Sequence, residues 1–204
     1  MKNLNTNPQK AQKYSSMIFS FMVILIINAF TQTVQGQTSY KIADGSKITV
    51  SGTSNLHDWN MLAGSFTCDV NVKMKNGQVQ DLSSMSFTLV VTNLKSKETL
   101  MDTRAYKALK ADQFNKITFK LTDATVVQKI IKATGNLTIA GVTKEITIQG
   151  AYILNNDDTL TLTGTKSVKM NDYNIKAPSF MLGALKTGNE VTIGIQLKLK
   201  KATL

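Results

Sequence analysis

Residues Gly135 to Gly150 read GNLTIAGVTKEITIQG. Leu137 and Ile139 share one face before the central glycine, and Ile146 and Ile148 share one face after it. Thr138, Glu145, Thr147 and Gln149 fall on the other face, so the period is two and one side is wet. The stretch therefore predicts two short antiparallel strands. The expected register pairs Leu137 with Ile148 and Ile139 with Ile146, sets Thr138 across from Thr147, and leaves Gly141–Lys144 as a four-residue loop.

The same alternation recurs along the chain. Ile48 and Val50 begin it, followed by Phe66, Cys68, Val70, Val72 and Met74. Asn76-Gly77 then supplies the dipeptide most typical of a type I′ hairpin. Met85, Phe87, Leu89 and Val91 follow, then Ile117, Phe119 and Leu121. After the opening hairpin, Asn155-Asn156-Asp157-Asp158 turns the chain into Leu160 and Leu162, and the last strand carries Val191, Ile193, Ile195, Leu197 and Leu199. About eight antiparallel strands with one apolar face each must hide that face, as a sandwich or as a closed barrel. Few prolines and hairpin connections favour the barrel, in which closure removes exposed edges. One helix is expected between Glu98 and Ala111, from Met101, Ala105, Ala108 and Leu109 at helical spacing, with Ser96 as N-cap. It is expected to pack on the barrel or to close one end. The apolar Ser179–Leu185 segment after Pro178 suggests a lid or plug.

The N-terminus reads as an export signal. Lys2, Lys10 and Lys13 precede an apolar run from Met17 to Phe30, too short for a hydrocarbon core that needs about 20 residues. Val34 and Gly36 supply small residues before a cleavage point. The expected organisation is a signal peptide over 1–36 and one domain over 37–204, with no integral membrane span after cleavage and a periplasmic or secreted bacterial location. Cleavage lowers the net charge from +11 to +8, since the acidic residues all follow Gly36. The lysines are dispersed and no basic run is interleaved with aromatics, which argues against nucleic acid as a partner. Cys68 is the sole cysteine. Its inward phase makes it a small buried hydrophobe, not a reactive thiol.

Catalytic chemistry finds little footing. His57 is the sole histidine, which excludes a two-histidine metal site, and its neighbour Asp58 would point to the opposite side of an extended strand. There is no Gly-x-Ser-x-Gly elbow, P-loop or paired-cysteine spacing. No catalytic residue, metal or cofactor is expected, and the protein is read as a non-enzyme. An apolar interior can instead be filled by its own side chains or leave room for a ligand.

Several motifs resemble the YceI-like family, from about Ser39 to the C-terminus. They are Gly64-Ser65-Phe66 downstream of His57, the Ala108–Phe114 segment leading into Ile117-Thr118-Phe119, and the Gly135–Ile148 hairpin, where the family has Gly-x-Leu-Thr-Ile-x-Gly-Val-Thr-Lys. Asp172-Tyr173-Asn174-Ile175 stands where the family has Asp-Phe-Gly-Ile. Ala105–Leu109 replaces the usual Arg-Asp-x-His-Leu, and Asn115-Lys116 replaces a common proline. The resemblance implies an all-β fold, an eight-stranded antiparallel lipocalin-like barrel, holding an isoprenoid or other long-chain lipid, with no enzymatic activity. Candidate cavity-lining residues are Phe66, Val70, Phe87, Leu89, Phe119, Met170, Ile193 and Ile195. His57, Trp59, Arg104 and Tyr173 are candidates for the mouth or a polar head group. The alternative is a filled barrel acting as a periplasmic interaction or stress-response module, and a homodimer stays open as a partner.

Overall fold

The computed structural model describes residues 36–202; the expected signal peptide lies outside the described residues. The strands are β1 (Gln37–Ile42), β2 (Lys47–Ser54), β3 (Trp59–Ala63), β4 (Phe66–Lys75), β5 (Gln78–Val90), β6 (Leu94–Lys95), β7 (Lys116–Val127), β8 (Ile130–Ile139), β9 (Val142–Leu154), β10 (Leu160–Lys169), β11 (Ser179–Phe180) and β12 (Leu185–Lys201), with one helix, α1 (Thr99–Ala108). Eight of the strands close a barrel in the order β1-β4-β5-β7-β8-β9-β10-β12, with β12 returning to β1. Every pairing is antiparallel. The barrel expected from the sequence is the one observed.

The wall divides at β12. Its residues 199–201 pair with β1, whereas residues 187–196 pair with β2. From β2 the sheet continues through β3 to β6, and β6 follows directly from β5 through a single 3-10 turn, Val91–Asn93. The two ends of the barrel are thus walled by different segments of the chain. Among the described residues no helix is long and apolar enough to cross a membrane.

Turn geometry sets the hairpin registers. Asn76 and Gly77 have φ of 51° and 71°, the type I′ turn that their sequence predicts, joining Lys75 to Gln78. The Gly135–Gly150 hairpin differs from expectation. Its turn is the two-residue Ala140-Gly141, with φ of 48° and 80°, and the register is Leu137 with Lys144, Thr138 with Thr143 and Ile139 with Val142. Thr147 faces Thr134, and Ile148 faces Ala133. The expected and observed registers differ by an even number of residues, so both keep the same side chains inside, and alternation alone cannot distinguish them. Gly141 decides between them. Its positive φ completes the tight turn, and the Phe114 ring packs where a Cβ would project.

The inward faces meet in a packed half and an open half. Tyr40, Val70, Val72, Leu160 and Leu199 are wholly buried at the end walled by β1. Leu160 pairs with Leu199, and Tyr40 pairs with Val70. Tyr152 reaches across the interior from β9, its hydroxyl 3.4 Å from the Val79 carbonyl oxygen of β5. At the other end Met85, Phe87, Ile148, Ile193 and Ile195 share the inward phase yet are only partly buried. Their remaining accessible surface faces a cavity.

Candidate functional site: an apolar cavity under a helix

The cavity has a volume of about 370 Å³, within the range of small-ligand sites. Six of the eight expected lining residues line it: Phe87, Leu89, Phe119, Met170, Ile193 and Ile195. Val70 and Phe66 do not. Val70 has the inward phase but stands at the level of Tyr40, where the barrel is packed solid. Phe66 lies against Phe87, ring centroids 5.4 Å apart and tilted by 48°, and Phe87 presents its ring to the cavity instead. The barrel is therefore neither filled throughout nor open throughout.

Helix α1 roofs the cavity with Met101, Ala105, Ala108 and Leu109, the four residues whose spacing predicts it. The helix is shorter than expected, and Glu98 rather than Ser96 is its N-cap. Ser96 still organises the start of the helix. Its hydroxyl accepts a hydrogen bond from the Glu98 amide (3.0 Å), and Asp102 accepts from both the Ser96 amide and hydroxyl at 2.7 Å. Asp102 is buried, so these bonds, with Lys95 Nζ at 3.9 Å, compensate a carboxylate removed from water. Tyr106 fixes the other flank, donating from its hydroxyl toward the carbonyls of Thr92 and Leu94, each at 2.9 Å. The roof is tied to the β5–β6 connection.

His57, Trp59, Arg104 and Tyr173 all lie along the cavity or its mouth. The Trp59 indole lies across Gly52 of the neighbouring strand, where a Cβ would overlap the ring. Its Nε1 donates to the Thr53 carbonyl at 3.1 Å, which leaves the ring's apolar body for the cavity wall. His57 is exposed, and its Nδ1 is 2.8 Å from the Asp58 carbonyl oxygen, so the contact is to backbone and not to the carboxylate. Tyr173 is 2% exposed, and its hydroxyl has no hydrogen-bond partner among the described residues. Burial, and secondarily the Asp172 carboxylate, pushes its pKa up. Tyr173 is thus a packed wall residue, and its hydroxyl is not presented to solvent as a head-group ligand.

Arg104 reaches the cavity mouth from α1. Its guanidinium lies 3.7 Å from the centre of the Phe180 ring, and it has no ion-pair partner among the described residues. Phe180 belongs to the segment after Pro178, expected as a lid or plug, which forms β11 and a 3-10 turn, Met181–Gly183. Pro178, Phe180 and Leu185 border the cavity, and Leu182, at φ 56°, projects fully into solvent.

Lys166 was missed by sequence reasoning. It occupies the inward phase of β10, between Gly164 and Val168, and borders the cavity opposite Ile193. The β9–β10 ladder ends at Gln149–Thr165, and the wall is opened there for the 3-10 turn Met170–Tyr173. A cation interrupting the run Leu160-Leu162-Gly164-Lys166-Val168 is the signal that could have found it. With Ser54, His57, Glu98, Arg104, Lys186 and Thr187, it adds a few polar groups to a lining that is otherwise hydrocarbon. Among the described residues no cluster of side chains could hold a metal ion.

Cys68 faces inward from β4 at 1% exposure. Burial, and secondarily Asp69, pushes its thiol pKa up to about 12, the opposite of the perturbation a reactive cysteine needs.

The fold is shared with solved structures. BcnA of Burkholderia cenocepacia is 18% identical, with a TM-score of 0.64 over 78% of this chain and 96% of that one. A polyisoprenoid binding domain from Saccharophagus degradans, implicated in plant cell wall breakdown, is 11% identical, with a TM-score of 0.65 over 81% of this chain and 99% of its own. A Campylobacter jejuni YceI protein is 14% identical, with a TM-score of 0.54 over 67% of this chain and 82% of that one. None of the curated proteins compared with the chain matches it. The family described as YceI-like domain matches residues 40–199, spanning both the barrel and its roof, and the chain belongs to that family.

Proposed function

We propose that the protein binds one isoprenoid or similar long-chain lipid in the open half of its barrel, without chemical conversion. The observation that carries this reading is a roofed cavity of about 370 Å³ whose lining is largely hydrocarbon. Burial there favours an apolar chain by about 0.8 kcal/mol per methylene. The tail points to the packed floor, and the polar end stays at the mouth with His57, Arg104, Lys186 and the more deeply set Lys166. The similarity in fold to a polyisoprenoid binding domain supports the same reading. The protein acts after export, on the strength of the Met17–Phe30 run and the small residues Val34 and Gly36.

Native mass spectrometry of gently purified protein should reveal a co-purified lipid. Ile193→Trp, which fills the open half, should abolish its retention while leaving the β-sheet circular dichroism signal unchanged. Unaltered retention in that variant would place the lipid elsewhere and overturn the assignment.

A further inference from the structure

Three leucines stand out of the surface at the mouth end of the barrel. Leu56 is 65% exposed, Leu100 is 60% exposed, and Leu182 projects wholly into solvent. They sit on three elements that specific contacts join into one rim. Asn55 Nδ2 donates to the Ala184 carbonyl at 2.7 Å, and Asn55 Oδ1 accepts from the Lys186 amide at 2.9 Å. These bonds tie the loop carrying Leu56 to the segment carrying Leu182. Arg104, stacked on Phe180, ties that segment to α1, where Leu100 lies one turn before Arg104 on the same flank. Leu182 is held outward at φ 56°, a conformation that a β-carbon disfavours. Large apolar side chains grouped on a rim and turned away from the core mark an interaction surface.

The charge around the rim identifies the partner. Residues 54–59, 96–108 and 176–187 carry Lys97, Arg104, Lys107, Lys176 and Lys186 against Asp58, Glu98 and Asp102. Asp102 is buried and engaged by Ser96, and none of these cations has an ion-pair partner among the described residues. The far end of the barrel differs. It also exposes Val127 and Ile153, yet Lys73, Lys198 and Lys201 there are paired with Asp81, Asp157 and Asp158. We propose that the mouth end docks on an anionic bilayer surface, with Leu56, Leu100 and Leu182 entering the acyl boundary and Lys97, Arg104 and Lys186 meeting head-group phosphates. Apolar burial and the negative potential of the leaflet then act on the same face. Docking sets the cavity opening against the bilayer, and it stands independently of what the cavity holds.

The test is co-sedimentation of the purified protein with vesicles of phosphatidylcholine alone and with vesicles that add about 30% phosphatidylglycerol. Partition should be about tenfold or more stronger on the anionic vesicles and should fall as salt screens the cations. Leu56→Asp with Leu182→Asp should weaken it about tenfold or more. Lys97→Glu with Lys186→Glu should remove the preference for the anionic vesicles. Val127→Asp with Ile153→Asp, at the opposite end, should leave partition as it is. All of these positions are exposed, so an unchanged urea midpoint excludes loss of the fold as the cause. Equal partition of the wild type onto both vesicles, or undiminished binding of the double leucine variant, overturns the proposal. So does a loss confined to the Val127 and Ile153 variant, which places the contact at the other end. Self-association without vesicles that the leucine substitutions abolish also overturns it, and gives the rim to a second copy of the chain.

Discussion

The Arg104 guanidinium stacks over the Phe180 ring at 3.7 Å, joining the roof helix to the segment that follows Pro178. The two residues are far apart in sequence and meet only at the cavity mouth, where each also lines the opening. No carboxylate competes for the guanidinium among the described residues. The contact therefore joins the roof helix to the segment after Pro178 at the opening, and under the proposed lipid-binding function it is expected to slow passage of a long chain there.

A cation–π contact at such a site is worth about 0.5–2 kcal/mol. Arg104→Ala should speed release of a fluorescent long-chain ligand by about 2- to 30-fold in stopped flow. Thermal stability should change little, because the helix keeps its ties through Asp102 and Tyr106. Phe180→Leu should match the kinetic effect. Equal release rates in the variants and the wild type would show that the mouth opens elsewhere.

Cys68 makes stability depend on alkaline pH. The folded thiol titrates at about 12 instead of 9.0, so above pH 9 the unfolded chain gives up a proton that the folded chain keeps. Its contribution is fully present below pH 9 and declines as the pH rises toward 12, by about 1.4 kcal/mol per unit. Tyr40, whose pKa burial also raises from 10.0, adds to the decline above pH 10. Urea unfolding at several alkaline pH values should show this slope, and Cys68→Ala should flatten it between pH 9 and 10. The native thiol should also resist a disulfide-exchange reagent at pH 8; reaction at the rate of a free thiol would contradict the burial.

Two tyrosines bury a hydroxyl without a partner, and a third spans the barrel with one. Tyr40 and Tyr173 have unpaired hydroxyls among the described residues, whereas Tyr152 contacts the Val79 carbonyl oxygen. An unpaired buried hydroxyl costs about 1–3 kcal/mol of desolvation. Tyr40→Phe and Tyr173→Phe should therefore leave stability unchanged or raise it by about 1 kcal/mol. Tyr152→Phe should lower it by up to about 1 kcal/mol, since its bond is long. Chemical denaturation of the three variants checks the order, and a loss of stability in Tyr40→Phe would reveal a partner for that hydroxyl.

The β7–β8 hairpin turns through Gln128 and Lys129, with φ of 48° and 67°. Neither residue suits the left-handed region, and both occupy the central positions of a two-residue turn joining Val127 to Ile130. Replacing the pair by Asn-Gly should stabilise the protein by about 1–2 kcal/mol. A midpoint shift in urea without a change in slope would register it.

Alternation made much of this protein legible from its residues. Leu137, Ile139, Ile193 and Ile195 could be placed inside and Thr138 and Thr192 outside, because a strand turns every second side chain to the same face. Asn76-Gly77 announced its turn, and Met101, Ala105, Ala108 and Leu109 announced the face of the roof helix. The motifs around the Gly135–Gly150 hairpin announced the family. Period two is blind to even shifts, however, so the hairpin register waited on the turn at Ala140-Gly141. It is equally blind to height along the barrel axis. Val70 and Ile193 carry the same inward signal, yet one meets Tyr40 in solid packing and the other faces open volume. That difference, like the meeting of Arg104 with Phe180, depends on which distant strands share a level. The residues themselves determined a barrel with an apolar interior; tertiary structure alone decided which half of that interior is empty, because emptiness is set by the sum of side chains converging from every strand around the wall.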